Sequence, residues 1–227
     1  MSSRTFTDGL VADGLRLHYG AREAGIDAVQ IESLAIPAGA CVAITGPSGS
    51  GKSSLLHLLC GIERPDAGSI SWNAVELTAL SEAARDRWRR DKVGLVFQDF
   101  HLLPGLSVLN NVLLPASFGG RHPSGLRQRA LDLIRRVGLV RPDQDIATLS
   151  RGEMQRVAVA RAALLAPPIL MADEPTASLD ASMADAVASL LFELAGELAA
   201  TLIVVTHDAN LRARFDKVIM MDHGRIA

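Results

Sequence analysis

A glycine-rich segment near the start of the chain has the composition of a phosphate-binding loop. Residues 46–53 read Gly-Pro-Ser-Gly-Ser-Gly-Lys-Ser and fit the pattern G-x-x-x-x-G-K-[ST]. The glycines let successive backbone N–H groups turn towards phosphate oxygens, and the dipole of a following helix favours the same anion. The pattern assigns Lys52 to the terminal phosphates and the Ser53 hydroxyl to Mg²⁺. We therefore predict a nucleoside triphosphate site, the alternative being a glycine-rich turn with a chance Lys-Ser pair.

Two adjacent carboxylates, Asp173 and Glu174, end the apolar run that begins at Ile169. In a parallel sheet the carboxyl ends of the strands lie beside a phosphate loop, so we expect Asp173 to hold Mg²⁺, directly or through water. Glu174 is then placed to orient or deprotonate the attacking water. Taken alone, an Asp-Glu pair is as typical of a solvated turn.

An α/β core is predicted to position these groups. Short apolar runs at 41–44, 169–172 and 202–205 are typical of strands buried on both faces. The leucine-rich segment from Lys52 to Cys60 has the composition of a helix. Apolar strands that alternate with helices indicate a mostly parallel sheet. Before residue 40, alternating apolar and polar residues predict further strands.

The stretch from about 105 to 163 has a different character. It is interrupted by proline and glycine, at Pro104, Pro115, Gly119, Gly120 and Pro123. One helical face follows, with Leu126, Ala130, Leu133 (or Ile134) and Val137, closed by Gly138. A mostly helical insert between core strands is the simplest interpretation.

The composition of the 227-residue chain excludes several classes of protein. A hydrophobic content of 48% is enough for a sizeable core, and two cysteines cannot build a disulfide framework, which indicates a reducing cytoplasm. The formal charge of −2 argues against a protein that coats nucleic acid. Mean hydropathy is high at +0.22, but the most apolar long stretch, 187–206, carries Glu193 and Glu197. Each would cost about 2.5–3.5 kcal/mol at bilayer depth, so no span is expected, and the first residues lack the apolar core of a signal peptide.

In order and spacing, these motifs resemble those of the ATP-binding subunit of an ABC transporter along almost the whole chain. Residues 46–54 (GPSGSGKSS) look like the Walker A segment, 169–175 (ILMADEP) like Walker B, Gln98 in VFQDF like the Q-loop, Asp180 in Ser178-Leu-Asp180 like the D-loop, His207 like the switch histidine and 149–153 (LSRGE) like the signature motif. The resemblance implies a P-loop NTPase fold with a mostly parallel core sheet, an N-terminal antiparallel β region and a helical subdomain insert. It implies one ABC ATPase domain over 1–227, with a RecA-like core at 1–98 and 164–227 and a helical subdomain at 99–163.

The resemblance also implies a set of site residues for ATP and Mg²⁺. Nucleotide contacts fall on Tyr19, Gly46, Pro47, Ser48, Gly49, Ser50, Gly51, Lys52, Ser53, Ser54, Ser150, Gly152 and Asp180. Metal contacts fall on Ser53, Gln98 and Asp173, and catalytic roles on Lys52, Gln98, Glu174 and His207.

Three of these assignments compete with ordinary structural roles. Gln98 offers amide groups to Mg²⁺ and to the attacking water where the core meets the insert, but a surface glutamine is the alternative. His207 is suited to a γ-phosphate at a strand end, although a lone histidine there is more often structural. Tyr19, the only tyrosine, is expected to stack on adenine, for about 1–3 kcal/mol by analogy with base stacking; a half-buried strand residue is the alternative.

The signature segment departs from the usual Leu-Ser-Gly-Gly-Gln of the family, with Arg151 and Glu153 at the first glycine and the glutamine. Ser150 followed by Glu153 predicts a capping box at a helix start. A capped helix N-terminus also presents N–H groups to an anion. In this family that anion is the γ-phosphate bound on the opposite subunit. Arg151 adds positive charge near it and Glu153 negative charge.

Partners are implied by the same resemblance. Two copies are expected to dimerise around two ATP and to drive an integral-membrane permease on a separate chain. The subunit is expected to be cytoplasmic and peripheral on the inner face of the membrane, and no nucleic acid is expected to bind. The segments around Gln98 and Val112 look like the lipoprotein-release and macrolide-exporter subgroup. The alternatives are a non-transport ABC ATPase of DNA repair or translation, whose usual large insertions are missing here, and a regulatory ATP-binding module without turnover.

Two further segments of the sequence predict surface features. An apolar cluster after Gln98 is expected to dock the membrane partner, the alternative being closure of the insert's own core; its members are Phe100, Leu102, Leu103, Leu106, Val108 and Leu109. The basic run 85–92 is expected to be a solvated helix face, with anionic lipid or an acidic partner loop as the sharper alternative. Cys41 and Cys60 are expected to be buried.

Overall fold

The computed structural model of the chain describes residues 8–20, 25–118, 124–177 and 179–227. Gly119, Gly120, Pro123 and Ser178 lie outside the described residues. In chain order the elements are β1 (Gly9–Tyr19), β2 (Ile26–Pro37), β3 (Cys41–Thr45), α1 (Lys52–Leu59), β4 (Ala67–Trp72), β5 (Val75–Glu76), α2 (Glu82–Lys92), β6 (Val93–Val96), α3 (Val108–Ser117), α4 (Leu126–Arg136), α5 (Arg151–Ala163), β7 (Ile169–Asp173), α6 (Ala181–Glu197), β8 (Thr201–Val205), α7 (Ala209–Arg212), β9 (Lys217–Asp222) and β10 (Arg225–Ile226). They form two compact units, Met1–Arg89 with Thr201–Ala227, and Arg90–Ala200.

An antiparallel sheet in the first unit has the strand order β2-β1-β4-β5. The alternating residues of β1 explain it, because Leu15 pairs with Ile31 in β2 and both are buried. The sheet is tied to α1 by Trp72, whose Nε1 donates to the carbonyl of Leu59 at 2.8 Å. The strands predicted before residue 40 are confirmed.

Parallel strands in the same unit carry the phosphate loop. β3 lies between β8 and β9, parallel to both, with Ile44 opposite Val205 and Ile219. Val42, Ala43 and Ile44 are fully buried, as the uninterrupted apolar run predicted. Helix α1 begins seven residues after β3 ends. The segment 46–51 is therefore the turn from a buried strand into a helix.

The described part of the second unit contains the parallel strands β6 and β7 and the helices α3 to α6. Val96 of β6 pairs with Ala172 of β7 in parallel, so Gln98 and Asp173 both lie at the carboxyl end of this strand pair. Helix α4 confirms the predicted helical face, with Ala130, Leu133 and Ile134 buried and Gly138 just beyond its end at a φ of +74°. The predicted subdomain boundaries at 98/99 and 163/164 stay predictions.

The loop between β6 and α3 is held down by polar side chains. Asn111, fully buried in α3, accepts from the N–H of Leu103 and donates to the carbonyls of residues 103, 106 and 107. Arg161 of α5, only 8% exposed, donates to the carbonyls of Phe100 and His101. These side chains supply hydrogen-bond partners to backbone groups of a loop that forms no strand ladder. The loop that carries Gln98 is thus fixed shortly after it.

Two expectations about buried residues need correction. Phe100, Val108 and Leu109 are buried in the chain's own core, so half of the apolar cluster predicted to dock a partner does not face outward. Cys60 is buried as expected, whereas Cys41 is only partly buried because it begins β3 at the end of the sheet.

The basic run in α2 is a helix face without buried residues, as expected. Arg85 and Arg89 donate to the carbonyl of Gly61, at 2.9 and 2.8 Å. Within the described residues, no helix has both the length and the apolarity needed to cross a bilayer.

Candidate nucleotide-binding site

The phosphate loop is closely packed against the backbone around it. A Cβ at Gly46 would lie 2.0 Å from the carbonyl oxygen of Met221, and one at Gly51 would lie 2.0 Å from that of Ala28. Both glycines also have positive φ, +148° and +90°. Any side chain at either position would displace backbone, so the loop shape depends on glycine there.

Lysine and serine side chains complete the loop. The ammonium of Lys52 donates to the carbonyls of Gly46 and Pro47, at 2.9 and 2.7 Å, which brings its charge across the loop. Ser53 is exposed in the first turn of α1, where no side chain caps the helix and no acidic residue occurs. The hydroxyl of Ser50 is buried and has no hydrogen-bond partner among the described residues. The loop thus has the glycine-lined shape, the cation and the uncapped helix N-terminus that a phosphate group requires.

Tyr19 lies against the first turn of the same helix. Its side chain is 44% exposed, and its hydroxyl donates to Oε2 of Glu63 at 2.5 Å and lies 3.3 Å from Oγ of Ser54. Burial of the hydroxyl end, and then the bond to Glu63, raise the pKa of Tyr19 above its usual value. The ring therefore combines a fixed edge with an accessible face.

His207 follows β8 on the edge from which the phosphate loop also emerges. Val205 pairs with Ile44, and the N–H of Thr206 donates to the carbonyl of Ile44 at 3.0 Å. His207 comes two residues after Val205, and Gly46, the first residue of the phosphate loop, comes two residues after Ile44. The parallel pairing thus brings the exposed histidine to the loop's side of the sheet.

In the second unit, Gln98, Asp173 and Glu174 lie at the carboxyl end of the β6–β7 pair. Asp173 is 6% exposed, whereas Gln98 is exposed. Glu174 has a φ of +46°, which is uncommon for a residue with a side chain and costs about 1–3 kcal/mol. Strain of this kind is concentrated at functional sites, and here it turns the chain directly after the buried carboxylate.

The signature segment forms the predicted capping box at the start of α5. The N–H and hydroxyl of Ser150 both donate to Oε2 of Glu153 at 2.8 Å, and the N–H of Glu153 donates back to Oγ of Ser150 at 3.3 Å. The backbone N–H of Ser150, and then its hydroxyl, lower the pKa of Glu153 below its usual value. The negative charge of Glu153 is therefore engaged in the cap.

Met183 brings Gly152 and Asp180 to the same place. Asp180 caps α6 by accepting from the N–H of Met183 at 2.9 Å. The sulfur of Met183 would lie 2.5 Å from a Cβ at position 152, so the glycine gives this side chain room. The signature segment and Asp180 thus lie together in the second unit.

Several residues that organise these groups were not identified from the sequence. Glu63 and Met183 carry no local signal, because each acts on a partner distant in the chain. Arg161 does carry one, since a lone charge in the apolar run 157–163 needs buried acceptors.

Comparisons with known proteins show the family of the chain. The family model described as ABC transporter matches residues 29–177. The chain is 42% identical over 191 residues to the lipoprotein-releasing system ATP-binding protein LolD of Idiomarina loihiensis, covering 84% of each chain. It is 39% identical over 219 residues to LolD of Cereibacter sphaeroides, covering 96% of this chain and 98% of the relative. The dimeric structure of the ATP-binding cassette MJ0796 in a post-hydrolysis state bound to ADP and Pi superposes with a TM-score of 0.88 at 35% identity, over 96% of each chain.

The family model spans most of the chain, and these relatives match along most of its length. A solved cassette also superposes on it. The predicted P-loop fold is confirmed, and the chain belongs to the ABC transporter family as an ATPase subunit.

Proposed function

We propose that the chain is the ATPase subunit of a transporter of the lipoprotein-releasing type. The observation that carries this proposal is the match to LolD of Cereibacter sphaeroides along 96% of the chain. Removing the protein from its host is expected to trap lipoproteins in the membrane where they are made. If macrolide resistance falls instead while lipoproteins are sorted normally, the exporter branch of the subgroup is the correct assignment.

The phosphate loop holds the triphosphate of ATP. Residues 46–54 surround the phosphates and direct backbone N–H groups at them, except for Pro47, which has none. Lys52 clamps the terminal phosphates, and the accessible face of Tyr19 stacks on adenine. The glycine-dependent loop shape and the uncapped α1 support this assignment. Lys52→Ala should abolish ATP binding in equilibrium dialysis, while the exposed Lys92→Ala should bind like the parent.

We expect Mg²⁺ to accompany the phosphates, because the residues expected to hold it carry oxygen ligands. The Ser53 hydroxyl, the Asp173 carboxylate and the Gln98 amide are hard oxygen ligands, and Mg²⁺ is usually shared between one or two carboxylates and substrate phosphates. Bound there, the ion would neutralise charge on the β- and γ-phosphates. Chelation of divalent cations should therefore stop ATP hydrolysis, and added Mg²⁺ should restore it.

Glu174 orients and deprotonates the attacking water, while His207 contacts the γ-phosphate. The strained backbone of Glu174 beside the buried Asp173 supports its role. Glu174→Gln should bind ATP but lose at least about 10²-fold in turnover, and Glu82→Gln on an exposed helix should lose nothing. Parental turnover in Glu174→Gln would remove this residue from the mechanism.

Two copies of the chain sandwich ATP, with Ser150, Gly152 and Asp180 of one copy facing the nucleotide of the other. The dimeric relative MJ0796 supports this, as does the grouping of these three residues around Met183. Ser150→Arg should keep ATP binding by the monomer but abolish the ATP-dependent dimer in light scattering. An unchanged dimer would leave this segment only the role of a helix cap.

A membrane partner docks on the helical face of the second unit, which places the chain on the inner face of the membrane. An apolar groove of about 530 Å³ there is lined by leucines 106, 113, 114 and 126. Leu103 and Phe118 are exposed in the same unit. This groove replaces the wider cluster expected from the sequence as the docking surface.

The groove is tested by capture from detergent-solubilised host membranes. Leu106→Glu should lose an integral-membrane partner that the parent retains, while both still bind ATP. Val140→Glu is the matched control, because Val140 is 85% exposed in the same unit and does not line the groove. Capture of nucleic acid or ribosomes without a membrane protein would favour a repair or translation ATPase.

A further inference from the structure

We infer that Glu63 is a positioning residue for the nucleotide: its carboxylate holds the Tyr19 hydroxyl, so that the aromatic ring is fixed beside the phosphate-loop helix before ATP arrives. The inference rests on the proposed function, in which Tyr19 stacks on adenine. It adds a residue and a physical role to that site.

The contact is specific to the hydroxyl end of the ring. Oε2 of Glu63 accepts from the Tyr19 hydroxyl at 2.5 Å, and Oγ of Ser54 lies 3.3 Å from the same oxygen. A hydrogen bond to an ionised acceptor is about twice as strong as a neutral one. The rest of the ring stays accessible, since Tyr19 is 44% exposed. An anchored edge and an accessible face are what a stacking platform needs.

Glu63 is itself fixed to the end of α1. Its N–H donates to the carbonyl of His57 at 3.2 Å, and its Oε1 lies 3.6 Å from Nδ1 of the same histidine. The side chains of Glu63 and His57 are each only 28% exposed. Ser54 belongs to the first turn of α1, so both anchors of the tyrosine hydroxyl are attached to one helix. That helix begins at Lys52 in the phosphate loop.

This arrangement has a consequence for affinity. An untethered tyrosine at a strand end rotates about its side-chain bonds, and stacking on a base would stop that rotation. Immobilising one such side chain reduces affinity about three- to tenfold. Because Glu63 restricts the ring in the free protein, ATP binding avoids most of that loss. The raised pKa of Tyr19, to which the bond with Glu63 contributes, is in keeping with a hydroxyl that donates to a carboxylate.

The tether can be tested without nucleotide, because Tyr19 is the only tyrosine in the chain. An ultraviolet absorbance titration of phenolate formation then reports on this residue alone. Glu63→Ala should lower the pKa of Tyr19 towards about 10, the value of a free tyrosine. Glu63→Gln retains an acceptor without the charge and should fall between the two. Glu76→Ala, a matched change in the same unit, should leave the titration unchanged.

The effect on binding is measured with ATP and with inorganic triphosphate. Glu63→Ala and Tyr19→Phe should each raise the Kd for ATP about three- to tenfold. In Glu63→Ala the KM for ATP should rise with the Kd, while kcat at saturation stays unchanged. The double variant should be no worse than either single one, because both remove the same contact. Affinity for inorganic triphosphate should not change, since no base is present to stack.

Three results would overturn the inference. They are an unchanged Tyr19 titration in Glu63→Ala, an unchanged ATP affinity in that variant, and an equal loss of ATP and triphosphate affinity, which would mean that the phosphate loop itself had moved. Failure of the proposed function is a different observation: the parent chain would bind no ATP although its Tyr19 titration still shifts on removal of Glu63.

Discussion

The guanidinium carbon of Arg151 lies 5.4 Å from the centroid of the Phe100 ring and over its face. Arg161, near the other end of the same helix, donates to the carbonyls of Phe100 and His101, whose φ values are +59° and +46°. Helix α5 therefore holds the loop that carries Gln98 with both of these arginines. Arg151, where the family usually has glycine, thus gains a contact within the subunit.

The Arg151–Phe100 contact should contribute measurably to stability. A cation over an aromatic ring is worth about 0.5–1 kcal/mol at an exposed site. Arg151→Ala should lower the free energy of unfolding by about that amount in parental protein, but by much less in a Phe100→Leu background. Urea unfolding of the four proteins measures this coupling. Strictly additive losses would show that the two side chains are neighbours without an interaction.

The capping box should make stability depend on pH through Glu153. Its pKa is lower in the folded than in the unfolded chain, so its stabilising contribution is present above about 4.5 and is lost as pH falls through the folded-state pKa. Glu153→Gln removes that titration. The stability difference between parent and variant should therefore be largest near neutral pH and shrink in acid, as followed by urea unfolding across this range. A difference independent of pH would mean that the carboxylate charge does not matter to the cap.

The buried side chain of Gln155 should lower the free energy of unfolding of the chain. It is 1% exposed in α5, and both polar atoms of its amide lack a hydrogen-bond partner among the described residues. An unsatisfied buried polar group costs about 1–3 kcal/mol. Gln155→Met, which keeps length and flexibility, should raise the free energy of unfolding by about that amount and raise Tm. A gain in stability with a loss of ATPase rate would mark an amide retained for function; lower stability would contradict the prediction.

The two thiols should differ in reactivity. Burial raises the pKa of Cys60 to about 11, so about one molecule in a thousand carries the thiolate at pH 8. Cys41 is only partly buried. Ellman's reagent should therefore titrate one thiol in the native chain and a second on unfolding, and Cys41→Ser should remove the native reaction. Two fast-reacting native thiols would show that the end of α1 opens readily.

The sequence determined the features that depend on neighbours in the chain. The phosphate loop is a contiguous motif whose shape follows from its glycines, and the capping box needs only Ser150 and a residue three positions later. Buried strands such as β3 and β8 follow from short apolar runs. In each case the hydrogen bonds or side-chain pattern that fix the structure lie within a few residues, so local composition specifies them.

Tertiary structure alone decided the contacts between distant residues. Glu63 reaches Tyr19 across 44 positions and Arg161 reaches Phe100 across 61. The sequence also does not predict whether Phe100, Val108 and Leu109 face a partner or the core, because an apolar residue favours any surface that excludes water. The packing of strands and helices chooses that surface, and no local pattern contains the choice.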